Sequence, residues 1–322
     1  MRIGIAAAVV LAILLYPLVL RGPYPQHLMI LVLLNALLGT AWNILGGFAG
    51  QISLGQATFF GAGAYTSTLL YQHAGVSPWL GLLAGALLAA ALALAIGYPC
   101  FRLSGHYFAI ATIAIGEIVG IAVTNWDFAG GAVGLFLPVE GEGLAAFKFG
   151  DKLGYYYVVA ALLALAVALA AWLRRGRAGY YWRAIREDQA AARSVGVPAT
   201  RYKQLAIAIS AALTAVAGTF YAQYLLFIDP PSVLPLSLSI QICLVAVLGG
   251  AGTLVGPLLG AAVLVPLSAA TSVALGGSGR SLDLVVYGAL IMVIAVFEPS
   301  GLVGIARRLR RRRASAPHSS TG

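Results

Sequence analysis

Charge is scarce in this chain: 9% of its 322 residues are Asp, Glu, Lys or Arg. A soluble domain carries about 25%, so this polar coat is too thin for an ordinary soluble fold. Cysteine is nearly absent as well. Cys100 and Cys243 stand in separate apolar stretches, with no CxxC pair and no histidine cluster. That pattern supports neither a disulfide nor a metal site, and both thiols read as packing residues. The four histidines, His27, His73, His106 and His318, are scattered. There is no G-x-x-x-x-G-K-[ST] loop, no HExxH, no Ser/His/Asp set at recognisable spacing and no pair of carboxylates within an apolar run. The chain therefore has no P-loop with which to hydrolyse ATP. It shows no catalytic centre and calls for no cofactor of its own.

What fills the chain is apolar: 61% of its residues are hydrophobic. The runs are long and continuous rather than alternating, which selects membrane-spanning helices over a barrel. The expected fold is an all-α polytopic membrane protein, a bundle of about ten transmembrane helices. The spans fall at about 3–20, 27–46, 55–71, 79–99, 106–124, 155–173, 204–227, 236–250, 254–275 and 282–298. The first is open to reading as a signal peptide, but no small-residue cleavage site follows Leu20, which favours a retained helix. The 39 glycines suit helices packed closely in lipid.

Lys and Arg outnumber Asp and Glu by twenty to ten. An excess of +10 could point to nucleic acid, but the positives sit in short clusters at the ends of apolar runs. That is the positive-inside pattern, and no nucleic-acid partner is expected. With the N-terminus inside, sixteen of the twenty fall on the cytoplasmic side: Arg2, Arg102, the eight of 174–203 and the six arginines of 307–313. Arg21, Lys148, Lys152 and Arg280 fall outside. The expected organisation is a transmembrane domain, 1–306, with a cytoplasmic loop at 174–203 and an external loop at 125–154. A basic tail, 307–322, would lie against anionic lipid headgroups and end in a disordered Ser/Pro/Thr-rich stretch.

The segment 180–203 is the one long polar stretch between apolar blocks. Residues 183–196 predict a short amphipathic helix, stopped by Gly196 and Pro198. Ala184, Ala191, Ala192 and Val195 can share a small apolar face, with Arg186, Glu187, Asp188 and Arg193 on the others. Two readings stand: a solvated surface helix, or a docking helix whose small side chains admit a partner's groove.

Residues 190–196, AAARSVG, resemble the E-A-A-x-x-x-G coupling loop of ABC-importer permeases, with Ala190 in place of the glutamate. The blocks 34–65, 102–118, 124–138, 183–203 and 247–261 together resemble the branched-chain amino acid permease family, in particular its M-type subunit. The resemblance runs over about residues 27–304. It implies a permease subunit of an ATP-driven importer, moving leucine, isoleucine and valine across the bacterial inner membrane by alternating access. It also implies a homologous second permease, two cytoplasmic ATPases that bind ATP and Mg, and an external substrate-binding protein. Relatives carrying urea, short amides or other amino acids keep the substrate open. Carried onto this sequence, the coupling helix comprises Arg183, Arg186, Glu187, Ala191, Ala192, Arg193 and Gly196. Without the glutamate, docking would rest on small side chains and helix shape, and a bulky charge at Ala192 is expected to uncouple transport.

Other features remain. The stretch 46–65 reads either as close packing, with Gly46 and Gly50 as a GxxxG pair, or as an interrupted helix lining the path. In the second case Asn43, Gln51, Ser53, Gln56 and Thr58 would be path residues. Gly252, Gly256 and Gly260, spaced four apart, would give one smooth face towards the second permease. Glu117 is the one acid well inside a span, either a path residue or a hydrogen-bonded structural acid. Asp127, Glu140, Glu142 and Asp151 either meet a binding protein or are solvated loop acids. The rival to an importer subunit is a stand-alone secondary transporter or channel. It would need intramembrane charges for ion coupling, and Glu117 alone is a poor supply.

Overall fold

Lipid offers backbone N–H and C=O groups no partner, so the apolar runs fold as helices. The computed structural model describes residues 22–103, 105–137, 143, 147–274 and 301–304. Helix α1 covers Pro23–Asn43 and runs into a π-helical turn at Ile44–Phe48. α2 (Gln56–Ala74), α3 (Pro78–Cys100), α4 (His106–Thr124) and α5 (Lys152–Arg175) follow. The polar segment forms α6 (Arg177–Glu187) and α7 (Gln189–Ser194). Then come α8 (Ala199–Leu225), a single turn α9 (Pro230–Val233), α10 (Leu236–Gly250) and α11 (Gly256–Ala274).

Among the described residues, six segments are long and apolar enough to cross a membrane: Pro23–Phe48, Pro78–Cys100, His106–Thr124, Lys152–Arg175, Ala199–Leu225 and Pro230–Gly250. The protein is an all-α, multi-pass membrane protein. α2 is too polar to join that set because it lies inside the bundle, where Gln56, Thr58, Ser67 and Thr68 are buried. The expected spans at 3–20 and 282–298, the tail 307–322, Glu140 and Glu142 lie outside the described residues.

The helices pack as two groups. α2, α3 and α8 form one, and α1, α5, α10 and α11 the other, with α1 also meeting α8. The α2–α8 contact is built on missing side chains. A Cβ on Gly63 would stand 2.0 Å from the Ala215 carbonyl oxygen, and one on Gly218 would stand 2.0 Å from that of Phe60. This approach lets the Thr219 hydroxyl donate to the Gly63 carbonyl at 3.0 Å. The Gln56 side chain bridges the same helices, donating to the Ser210 hydroxyl at 3.1 Å and accepting from that of Thr214 at 3.0 Å. α4 sits at the periphery, with Tyr107, Ile110, Ile118 and Ile121 exposed.

The bundle has two distinct ends. At one, Lys152 donates to the Pro23 carbonyl at 3.1 Å, Lys148 reaches the Tyr71 hydroxyl at 3.1 Å, and Gln72 donates to the Phe136 carbonyl at 2.7 Å. Here a short antiparallel ribbon, β1 (Leu135–Phe136) with β2 (Phe227–Ile228), ties the 125–154 loop to the end of α8. At the other end, the connections α1–α2 and α10–α11 meet α6.

The Gly218→Val substitution is expected to force α2 and α8 apart and to destabilise the protein by about 1–3 kcal/mol or more. Thermal unfolding in detergent checks it, with a lower midpoint than Gly218→Ala.

Candidate functional site

The polar segment is not the single helix that its composition suggests. Asp188 is extended, at φ −152° and ψ 112°, and separates α6 from α7. Its carboxylate accepts from the backbone N–H of Ala190 at 2.7 Å and of Ala191 at 3.0 Å. A short acid that satisfies the first free N–H groups of a helix favours a helix start over continuation. The expected helix over 183–196 is therefore two helices with a turn between them.

That break redistributes the expected apolar face. Ala192 is 4% exposed and packs inside the chain with Ile185 and Ala199. Ala191, Arg193 and Gly196 are exposed, and Val195 is 79% exposed. Trp182 is fully buried and donates through Nε1 to the Tyr202 carbonyl at 2.8 Å. The Lys203 ammonium donates to the side-chain carbonyl of Gln189. Arg183 folds back over the Tyr180 ring, 5.0 Å from its centroid, and donates to the Gly179 carbonyl at 3.3 Å. Glu187 is exposed. α6 is thus anchored, and α7 with its C-cap Val195 presents Ala191, Arg193 and Val195 outward.

Arg186 points back into the bundle end. Its Nη1 donates to the Gly47 carbonyl at 2.7 Å. A Cβ on Gly50 would stand 2.9 Å from Arg186 Cγ, and one on Gly252 would stand 2.5 Å from Arg186 Nη1. Both glycines have positive φ, +70° and +80°, which other residues rarely adopt. Asn43 fastens the two connections to each other. Its Oδ1 accepts from the Gly252 N–H at 2.7 Å, and its Nδ2 donates to the Thr253 carbonyl at 2.8 Å. A Cβ on Gly47 would stand 1.9 Å from Asn43 Oδ1. Three chain segments therefore converge on a few atoms.

This geometry corrects the glycine readings. Gly46 and Gly50 do not form a GxxxG helix face. Gly46 lies in the π-helical turn, where a Cβ would strike the Trp42 ring at 2.3 Å, and Gly50 follows the turn against Arg186. Gly252 is in the α10–α11 turn, so only Gly256 and Gly260 share a helix. Cβ atoms on those two would stand 2.3 Å from the Gly250 carbonyl oxygen and 1.9 Å from that of Val245. They pack α11 against α10 within this chain.

The helix is interrupted at 49–55, as one reading of that stretch expects. Most of its polar residues are engaged locally. Ser53 accepts from the Gly55 N–H at 3.3 Å, its carbonyl takes the Trp42 Nε1–H at 2.8 Å, and Gln51 donates to the Ala49 carbonyl at 3.3 Å. Thr58 is buried, and its hydroxyl has no hydrogen-bond partner among the described residues. Glu117 is exposed on peripheral α4, beside a cleft shared with Asn125, Pro230 and Pro231. A cavity of about 530 Å³ lies elsewhere, lined chiefly by α1, α10 and α11, with Phe60, Tyr221 and the α9 turn at its edges. Asn35 and Gln241 line it, joined at 3.2 Å. Each is an isolated amide in an apolar run, a signal the sequence carries.

The chain matches the protein family described as branched-chain amino acid transport system / permease component over residues 24–295. It is 31% identical over 329 residues to the high-affinity branched-chain amino acid transport system permease protein LivM of Escherichia coli K12, covering 95% of this chain and 76% of that protein. It is 26% identical over 286 residues to the permease protein LivH of Salmonella typhimurium, covering 84% and 91%. A probable LivM of Methanocaldococcus jannaschii is 26% identical over 220 residues, covering 64% and 62%. No solved structure is significantly similar to the chain.

Replacing Asn43 by Leu removes both bonds that join the two connections, at a cost of about 1–3 kcal/mol. Hydrogen exchange at Gly252 and Thr253 should accelerate, whereas Gln51→Leu should leave it close to that of the unsubstituted protein.

Proposed function

This chain belongs to the branched-chain amino acid transport permease family, and from that premise we propose that it is a transmembrane subunit of an ATP-driven importer. It carries leucine, isoleucine and valine across the bacterial inner membrane. It has ten spans within a permease domain, 1–306, a tail at 307–322, and both termini in the cytoplasm. The positive-inside pattern supports that orientation. So does the separation of Lys148 and Lys152, at one end of the bundle, from Arg186 at the other.

Its partners are a homologous second permease, two cytoplasmic ATPases and an external substrate-binding protein. Similarity to both LivM and LivH supports pairing between related permeases. The carrying observation is the Arg186 bond to Gly47, which links the exposed polar segment to the helix connections. ATP-driven closure of the ATPases pushes on Ala191, Arg193 and Val195 of the coupling segment, with Gly196 ending it. α6, braced by Trp182 and flanked by Arg183 and Glu187, passes the displacement through Arg186 to the connections α1–α2 and α10–α11. The helices then switch access from outside to inside. Hydrolysis belongs to the partners, which hold ATP and Mg. The exposure of Glu117 on peripheral α4, beside a cleft rather than in the core, favours this reading over a stand-alone transporter.

In the complex reconstituted with its partners, Ala191→Glu and Val195→Glu should each lower binding-protein-stimulated ATP hydrolysis by about tenfold at unchanged protein yield. Ala192→Glu should instead lower yield, because it buries a charge. Full stimulation in both surface variants would refute the coupling role.

A further inference from the structure

We propose that the corner where α5 turns into α6 binds the headgroup of an anionic phospholipid, with Arg175, Arg177 and Arg183 receiving its phosphate. The inference goes beyond the importer function and does not depend on it.

The corner is densely basic. Arg174, Arg175, Arg177 and Arg183 stand in 174–183, a stretch with no acidic residue. Arg175, Arg177 and Arg183 are exposed. None of the four forms an ion pair among the described residues. The next acids along the chain do not neutralise them. Asp188 is committed to the N–H groups that open α7, and Glu187 pairs with no arginine among the described residues.

Positive-inside charge alone would leave such arginines in water. Two observations place these at the headgroup layer. First, Leu165, Trp172 and Arg175 lie along one exposed side of α5, so an apolar side ends in a ring and then a guanidinium. Trp172 is 68% exposed, and tryptophan concentrates at the depth where hydrocarbon gives way to headgroups. Second, α6 folds back against the end of α5. A Cβ on Gly179 would stand 2.3 Å from the Arg174 carbonyl oxygen. The first turns of α6 are thereby held at the level where α5 leaves the hydrocarbon. Gly179, Trp182 and Ile185 are the buried side of α6. Arg177, Tyr180 and Arg183 are exposed on the opposite side. A helix with such a basic side and an exposed ring suits the plane of the membrane surface.

Guanidinium groups bind phosphate oxygens through charge-assisted N–H bonds. Arg183 is already oriented for this. Its Nη2 donates to the Arg174 carbonyl at 3.5 Å, and its guanidinium lies over the Tyr180 ring. Arg175 and Arg177 have no side-chain partner among the described residues, which leaves their donors for a guest. The acyl chains would run along the Leu165 and Trp172 side of α5. A free phosphate has no use for that apolar side, which favours the lipid as the source. α6 also carries Arg186, which holds the Gly47 carbonyl, so a bound headgroup braces that helix.

The test is the affinity of the delipidated full chain for dioctanoyl-phosphatidylglycerol, read by native mass spectrometry, with variants first shown to be monodisperse by size exclusion. Arg175→Gln combined with Arg177→Gln should weaken binding about tenfold or more. Arg193→Gln combined with Arg201→Gln removes the same charge from other exposed positions and should stay within about twofold. Phosphatidylglycerol should also slow hydrogen exchange across 177–187. Dioctanoyl-phosphatidylcholine should do neither, and inorganic phosphate at matched ionic strength should not displace the lipid. Equal loss in both double variants would show surface charge alone and overturn the site. Displacement by inorganic phosphate, or equal binding of phosphatidylcholine, would overturn the anionic lipid as its ligand. If the Arg175/Arg177 variant keeps its lipid affinity but no longer retains the ATPases, the corner is a protein-docking face and the proposal falls.

Discussion

Gly47 can carry no side chain because other groups already occupy the space. The Asn43 amide and the Gly252 N–H lie where its Cβ would go, and its carbonyl holds Arg186. Close backbone approach is the constraint from which the rest of this end of the molecule follows. It brings the α10–α11 turn within reach of Asn43, and it gives the guanidinium of a surface helix a carbonyl to grip. The contact joins a segment built to meet water with segments built to sit in lipid. Backbone carbonyls at helix ends lack intrahelical partners, and an arginine from a neighbouring segment is well suited to supply one.

The same principle operates along α2 and α8. Gly63 and Gly218 let two helices approach until side-chain hydroxyls reach backbone carbonyls across the interface. In lipid, apolar burial gives little drive for helix association, so fit and interhelical hydrogen bonds take over. That explains why α2 tolerates Gln56, Ser67 and Thr68 in its buried surface. Their polar groups are satisfied by α8 or by their own helix.

The spans were the most legible feature, because unbroken apolar runs have one outcome in a membrane. Residues 106–124 and 236–250 fall on the observed helices, and 79–99 differs from Pro78–Cys100 by a residue at each end. The polar segment was legible as an interruption but not in shape. The break at Asp188 depends on one carboxylate turning back to cap two N–H groups, which periodicity does not register. Glycine was legible as close packing but not as to its partner. Spacing put Gly252, Gly256 and Gly260 on one helix, whereas a positive φ puts Gly252 in a turn. The amides Asn35 and Gln241 were missed in the sequence, although each stands alone in an apolar run. Only the fold brings two residues 206 positions apart to 3.2 Å.

The division of the bundle into two helix groups has a mechanical consequence. Helices locked by backbone-to-backbone approach are stiff, since any bend breaks several close contacts at once. The two groups meet where α8 faces α1, and the 530 Å³ cavity lies beside that seam, with Tyr221 of α8 among its lining residues. A rocking of one rigid body against the other would change the size of that void while leaving every helix straight.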